Sequence, residues 1–258
     1  MGVTAAVRRR VRLYGPSIAR GRVNVGWCPI CEARTGFVST GGHPRNSYFC
    51  LRCESIPRWR ALVHVLSSTY PTWRTATIHE SSPGGPASAK LRAEAPGYSA
   101  SYWLSSVPRG MTVDGRRSED LEQLTFPDAL FDLFITQDVF EHLFDPAAAF
   151  REIARVLRPG GLHVFTVPWW PDETTLVRAV RTAEGVEHLR PPQYHHDPID
   201  PTGALVVRQW GGDLMGFIQD ACGLATEVYD TQDRHFGLHG TFQQVFVTRR
   251  TACEPPAA

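Results

Sequence analysis

Short apolar runs alternate with helix-period segments through most of this chain, and the clearest unit spans residues 131–168, FDLFITQDVFEHLFDPAAAFREIARVLRPGGLHVFTVP. Residues 132–136 form a nearly continuous apolar run, as in a strand buried on both faces. Gln137 and Asp138 follow at its carboxyl end, where open α/β sheets bind ligands. Pro146 then suits a first helical turn after Asp145, and Ala149, Phe150, Ile153, Val156 and Leu157 recur at the spacing of an amphipathic helix. Arg158, Pro159, Gly160 and Gly161 end it, and residues 162–167 give the next strand. Upstream, residues 75–79 and 98–103 read as strands at the separation a βαβαβ half requires. Downstream, 212–221 reads as a helix and 226–229 and 242–248 as strands. The pattern predicts an α/β doubly wound sheet, with a long insertion at about 169–212.

The first quarter of the chain follows a different pattern. Cys28-Pro-Ile-Cys31 and Cys50-Leu-Arg-Cys53 are two CxxC pairs 18 residues apart, a spacing that suits a zinc ribbon with each pair on a tight knuckle. Four thiolates leave a tetrahedral ion no open position, so Cys28, Cys31, Cys50 and Cys53 predict structural Zn2+. Two disulfides are the competing reading; Cys222 and Cys253 read as ordinary thiols. Ala61, Leu62, Val65 and Leu66 give helical spacing after Pro57. The implied divisions are a basic, flexible arm at 1–24, a zinc ribbon at 25–56, a connecting helix at 57–74 and the α/β domain at 75–258.

Composition narrows the function classes. The 258 residues are 42% hydrophobic and 21% charged with net charge +1, so there is no global attraction to nucleic acid. Arg8, Arg9, Arg10, Arg12, Arg20 and Arg22 nevertheless make the arm basic, either as a solvated tail or as a holder of RNA phosphates. No run of about 18 apolar residues is present, and no apolar segment follows the basic N-terminus, so a cytoplasmic protein without a membrane partner is expected.

The 131–168 unit, with its FD start, polar strand end, EH pair and RVLRPGG helix end, resembles the second half of class I S-adenosylmethionine (SAM)-dependent methyltransferases of the type 11-like kind. The resemblance extends from about residue 75 onward. The cysteine segment and the following CESIPRWRALVHVL resemble a ribbon fused in front of some bacterial members. What this implies is a Rossmann-like sheet of seven strands and an enzyme that binds SAM. Glu80 would orient the SAM amino group, with Ser81, Ser82, Gly84 and Gly85 forming the turn around it, although serine and proline replace the outer glycines of the family's loop. No acid ends the second strand, so Ser101 and Tyr102 are left to meet the ribose. Asp120 would accept from the adenine amino group and the Leu121 N–H would donate to the ring, with capping of a short helix as the plain alternative. Gln137 and Asp138 complete the cofactor side.

In this family the 169–212 insertion would be a substrate lid, placing Trp169, His195 and His196 at the acceptor. His142 and His195 are the candidate catalytic bases, histidine being the side chain that titrates near neutrality. His142 stands four residues after Asp138, so the two are expected to face each other on one helical turn. The implied reaction is methylation of a small-molecule acceptor, on a hydroxyl oxygen. An RNA methyltransferase using ribbon and arm is the alternative enzyme, and a degenerate, non-catalytic SAM-fold binding module is the alternative of another class.

Overall fold

The computed structural model describes residues 3–197 and 199–251, so Cys253 lies outside it. The chain divides into two compact units, one built from residues 1–72, 84–94 and 229–245, the other from 73–83, 95–228 and 246 onward.

The first unit holds a three-stranded antiparallel sheet of Val23–Cys28, Ala33–Ser39 and Tyr48–Cys50, with Cys28 opposite Ala33 and Cys50 opposite Phe37. Pro57–Thr69 is the predicted helix, and its Ala61, Leu62, Val65 and Leu66 are all buried. Pro57 occupies the helix start, where its missing N–H is no loss. The arm departs from expectation. Val3–Ala19 is helical, and the Arg9 and Arg10 guanidiniums donate to the Glu54 carboxylate at 2.9 and 3.2 Å, with Arg10 also reaching the Arg52 carbonyl. Those ion pairs supply the anchoring that the basic composition concealed.

The second unit carries an eight-stranded sheet. Its order is Thr226–Tyr229, Val245–Arg249, Leu157–Thr166, Phe131–Gln137, Ile78–Ser81, Tyr98–Tyr102, Arg116–Ser118 and Thr112–Val113. The four pairings that join Leu157–Thr166 to Arg116–Ser118 are parallel; Val245–Arg249 pairs antiparallel with Leu157–Thr166, and Thr112–Val113 forms an antiparallel edge. The count exceeds the expected seven because Thr112–Val113 turns back on Arg116–Ser118 through Asp114 and Gly115, both at positive φ.

The helix Pro146–Val156 is capped by the Asp145 carboxylate, which accepts from the Ala148 N–H at 2.9 Å. It buries Ala149, Phe150, Ile153 and Val156 against Phe134, Phe140 and Phe165 of the sheet unit's core. Phe150, Ile153 and Val156 each contribute roughly 1.5–3 kcal/mol of transfer free energy. Two boundaries shift from the sequence reading. The central strand begins at Ile78, not residue 75, because Trp73–Thr75 closes a 3-10 turn. Glu80 and Ser81 therefore lie within the strand and not in the loop after it. Arg158–Gly161 ends the helix as expected but is drawn into strand pairing, with the register jumping between Phe131 and Leu133.

Residues 169–212 form short strands. Trp169–Trp170 and Leu176–Val177 flank Arg208–Gly211, while Ala179–Thr182 pairs with Gly185–His188 and Tyr194–His195 with Ala204–Leu205. Among the described residues, no helix is long and apolar enough to cross a membrane.

Candidate functional site

Two clusters carry chemistry, one in each unit. In the first, the four cysteine sulfurs all lie within 4.8 Å of one another. Cys28 and Cys53 are 3.7 Å apart and Cys31 and Cys50 3.9 Å, far beyond the about 2.05 Å of a disulfide. Tetrahedral thiolates at about 2.3 Å from a zinc ion stand about 3.8 Å apart, so the donor set fits such an ion. Both knuckles are built alike: the residue after each second cysteine, Glu32 and Glu54, is left-handed at φ 46° and 57°. The Arg52 N–H points to Cys50 Sγ at 3.4 Å. Crowding has an electrostatic consequence. Burial, with Cys28 and Cys50 adding to it, pushes the Cys31 thiol up to about 12, so a cation must be present before all four can ionise together. Arg60 offsets the cluster's negative charge. Its fully buried guanidinium donates to the carbonyls of Ser55, Tyr48 and Gly237 and lies over the Phe37 ring at 4.8 Å; burial draws its pKa down to about 10 while the Cys28 thiol opposes the shift.

In the sheet unit, Glu80 is fully buried at the carboxyl end of the central strand. Its Oε1 accepts from Gln137 Nε2 and its Oε2 from the Tyr98 hydroxyl, each at 2.6 Å. Two neighbouring parallel strands end in left-handed residues, Ser82 at φ 56° and Asp138 at φ 52°. Ser82 thus adopts the conformation for which glycine is usual. Ser81 is buried beside it, opposite Thr136. In the adjoining loop a methyl group added at Gly84 would meet no atom within 4 Å, whereas one at Gly85, φ +72°, would strike the Trp59 ring. Within the sheet unit, an anionic strand-end side chain beside left-handed turns fits a ligand bearing an ammonium group.

The structure places the other expected residues as follows. The Ser101 hydroxyl is buried and committed to His79 Nε2 at 2.9 Å; because Ser99 donates to the Ile78 carbonyl, its oxygen accepts from His79 Nδ1–H, leaving Nε2 to accept from Ser101. Tyr102 lies under the Arg116 guanidinium at 5.6 Å. Asp120 caps a turn, Oδ1 accepting from the Glu122 N–H at 2.9 Å, and the Leu121 side chain is buried. Asp138 does not face His142: it accepts from the Thr166 hydroxyl at 3.0 Å, and Phe140–His142 is a 3-10 turn, so the helical i, i+4 relation never forms. Trp169 packs on Phe246 and donates to the Gly211 carbonyl at 2.7 Å. His196 is exposed and lies outside the histidine cluster.

His142 and His195 do meet. The Leu205 carbonyl accepts from His142 Nδ1–H at 2.7 Å, which leaves Nε2 with its lone pair. Strand pairing sets Tyr194 opposite Leu205 and His195 opposite Ala204, so the residues that orient His142 also deliver His195. The rings are perpendicular with centroids 5.1 Å apart. Beneath them Glu141 is 1% exposed, its Oε1 3.7 Å from His142 Nε2 and 3.5 Å from His195 Nδ1. Sequence reasoning paired His142 with Asp138 and placed Glu141 just beyond the fourth strand without giving it a role. Its only signal was an acid beside a histidine, common on any surface.

Residues 88–165 match the methyltransferase domain family Methyltransf_11. Over 52 residues the chain is 42% identical to a Mycolicibacterium smegmatis protein named "Probable S-adenosylmethionine-dependent methyltransferase", covering 20% of each. Over 120 residues it is 31% identical to dimethylglycine N-methyltransferase of Parasynechococcus marenigrum, covering 46% of this chain and 36% of the relative. A solved S-adenosylmethionine-dependent methyltransferase from Mesorhizobium loti aligns at TM-score 0.48 and 20% identity over 74% of this chain and 98% of that one. The matches span a fifth to about a third of these curated relatives' own length. Residues 88–165 thus resemble a methyltransferase domain, and the sheet to which their strands belong is mostly parallel, as an α/β doubly wound domain requires.

Proposed function

We propose that the protein is a cytoplasmic SAM-dependent methyltransferase acting on the hydroxyl oxygen of a small-molecule acceptor, with a structural zinc ion on Cys28, Cys31, Cys50 and Cys53. The observation that carries the reading is the convergence of Glu80, Gln137 and the left-handed Ser82 and Asp138 at one edge of a parallel sheet, within a chain that matches the methyltransferase family. The thiol cluster suits a reducing compartment.

Bound SAM supplies the methyl group as an activated sulfonium that departs as a neutral thioether. The chain's part is to bind it, exclude water and align the acceptor. Glu80 orients the amino group, and Ser81, Ser82, Gly84 and Gly85 shape the turn around it. When the acceptor oxygen gives its electron pair to the methyl carbon, its proton must leave. With no ion on them, His142 Nε2, oriented by Leu205, and His195 would be the groups placed to draw it away. The 169–212 segment, which docks through the Val207 N–H on the Glu141 carbonyl at 2.8 Å and through Arg208 on the carbonyls of Leu143 and Phe144, is the lid. The small-molecule reading is favoured over RNA because Glu54 engages Arg9 and Arg10, cations the arm would otherwise offer to phosphates.

Glu80→Ala is expected to weaken SAM and S-adenosylhomocysteine binding at least tenfold, about 1.4 kcal/mol, by calorimetry on protein whose melting temperature matches wild type. Wild-type affinity in that variant would remove Glu80 from the cofactor role.

A further inference from the structure

Glu141 is an anomaly among the described residues. Its carboxylate lies in the sheet unit at 1% exposure, and neither oxygen has a hydrogen-bond partner. A buried carboxylate without partners costs several kcal/mol unless a cation accompanies it. The surrounding chemistry supplies donors to such a cation. His142 Nε2 and His195 Nδ1 approach Glu141 Oε1 at 3.7 and 3.5 Å, too long for hydrogen bonds, and all three ligand atoms lie within 4.8 Å of one another. Nitrogen and oxygen ligands at about 2.1 Å from a tetrahedral ion stand about 3.4 Å apart, close to these separations. The orienting shell is present as well. A metal-binding histidine usually donates its other ring N–H to a carbonyl or carboxylate, and His142 Nδ1–H does so to Leu205.

We infer that Glu141, His142 and His195 form a second metal site, distinct from the four cysteines, that takes a divalent ion of the zinc, iron or cobalt class. Two imidazoles and one carboxylate disfavour magnesium and calcium, which prefer all-oxygen shells. Three protein ligands leave a position open, and the His195 side chain is 35% exposed, so a ligand from solvent has access. The inference rests on the proposed methyl transfer only for its purpose. There the open position holds the acceptor's oxygen, and an ion at that point lowers the hydroxyl's pKa as it does for bound water. The two imidazoles then hold the ion and not a proton, and the acceptor's proton leaves to solvent as the new O–CH3 bond forms and the C–S electron pair returns to sulfur.

The test is cobalt titration of the full-length chain, followed by absorption and by metal analysis after gel filtration. Two ions per chain are expected, one with thiolate-to-metal charge transfer and one without it. Glu141→Gln and, separately, His195→Ala should weaken the second ion at least about 100-fold while leaving the thiolate signal and the circular dichroism unchanged. His195 is partly exposed, so its variant remains informative if Glu141→Gln fails to fold. A single ion in wild type, or a second ion that both variants retain, overturns the site. SAM calorimetry on the same samples separates the two readings: two ions without SAM binding supports the metal site and removes the methyl-transfer reading, and SAM binding with one ion does the reverse.

Discussion

Cys28→Ser is expected to abolish the thiolate-bound metal and to unfold the first unit. Cys28 is fully buried, with its sulfur 3.7 Å from Cys53 Sγ and the same distance from Ser55 Oγ, so no solvent ligand can replace it cheaply. The small antiparallel sheet around it buries few large side chains, chiefly Phe37, Val38 and Tyr48, and with the proposed ion bound an assembly of that size would draw much of its stability from it. Zinc binding in such modules is folding free energy on the order of 10–16 kcal/mol. Loss of one of four ligands should therefore exceed about 4–5 kcal/mol, the range of the most damaging single substitutions. Arg60 amplifies the effect, because its buried guanidinium loses the negative charge that accompanies it. Zinc content per chain and proteolytic protection of residues 23–69 are the readouts. Unchanged zinc and unchanged protection would remove the structural metal from the account.

The second large effect is loss of stability in mild acid. His79 and His163 are both essentially inaccessible, and burial holds each near pKa 3, with Arg117 adding to the depression at His79. His163 sits among Phe140, Phe150 and Phe165 with one bond from Nε2, at 3.0 Å to the Thr136 hydroxyl. Protonation would place a charge in that aromatic core. Because the folded pKa is lower than the unfolded value near 6.5, the unfolded state binds the extra proton between these limits. Stability is therefore full above about pH 6.5 and falls as the pH drops toward 3. Between pH 7 and pH 5 each histidine contributes a loss on the order of 2 kcal/mol, and the pair about 4 kcal/mol. Urea unfolding at pH 7, 6 and 5 measures it. His163→Gln should remove about half of the slope, which separates this from acid release of zinc. Equal stability at pH 7 and 5, or an unaltered slope in the variant, would contradict the assignment.

Much of the sheet unit was legible because its information is local. The run 132–136, the Asp145–Pro146 helix start and the periodic Ala149, Phe150, Ile153 and Val156 each specify an element within a few residues, and the elements then have few ways to pack. The cysteine knuckles are equally local. What escaped the sequence depends on pairing across distance. The first strand moved because the 3-10 turn at Trp73–Thr75 takes residues whose composition suits a strand equally well. The commitment of Ser101 follows from the parallel register that sets Ser81 opposite Ser101 and brings His79 between two serines. The meeting of His142 and His195 needs the hairpin of Tyr194–His195 with Ala204–Leu205, whose turn includes Gly203 at φ +86°. No helical or strand period in either segment announces that contact. The role of Glu141 was hidden for the same reason: although His142 adjoins it, His195 comes from another part of the chain.

The central claim is that this sheet edge binds SAM, and calorimetry with SAM and S-adenosylhomocysteine on the zinc-loaded, full-length protein tests it most directly. Saturable binding of both at one site per chain, weakened by Glu80→Ala, is the expected result; a folded, zinc-loaded protein that binds neither would contradict it.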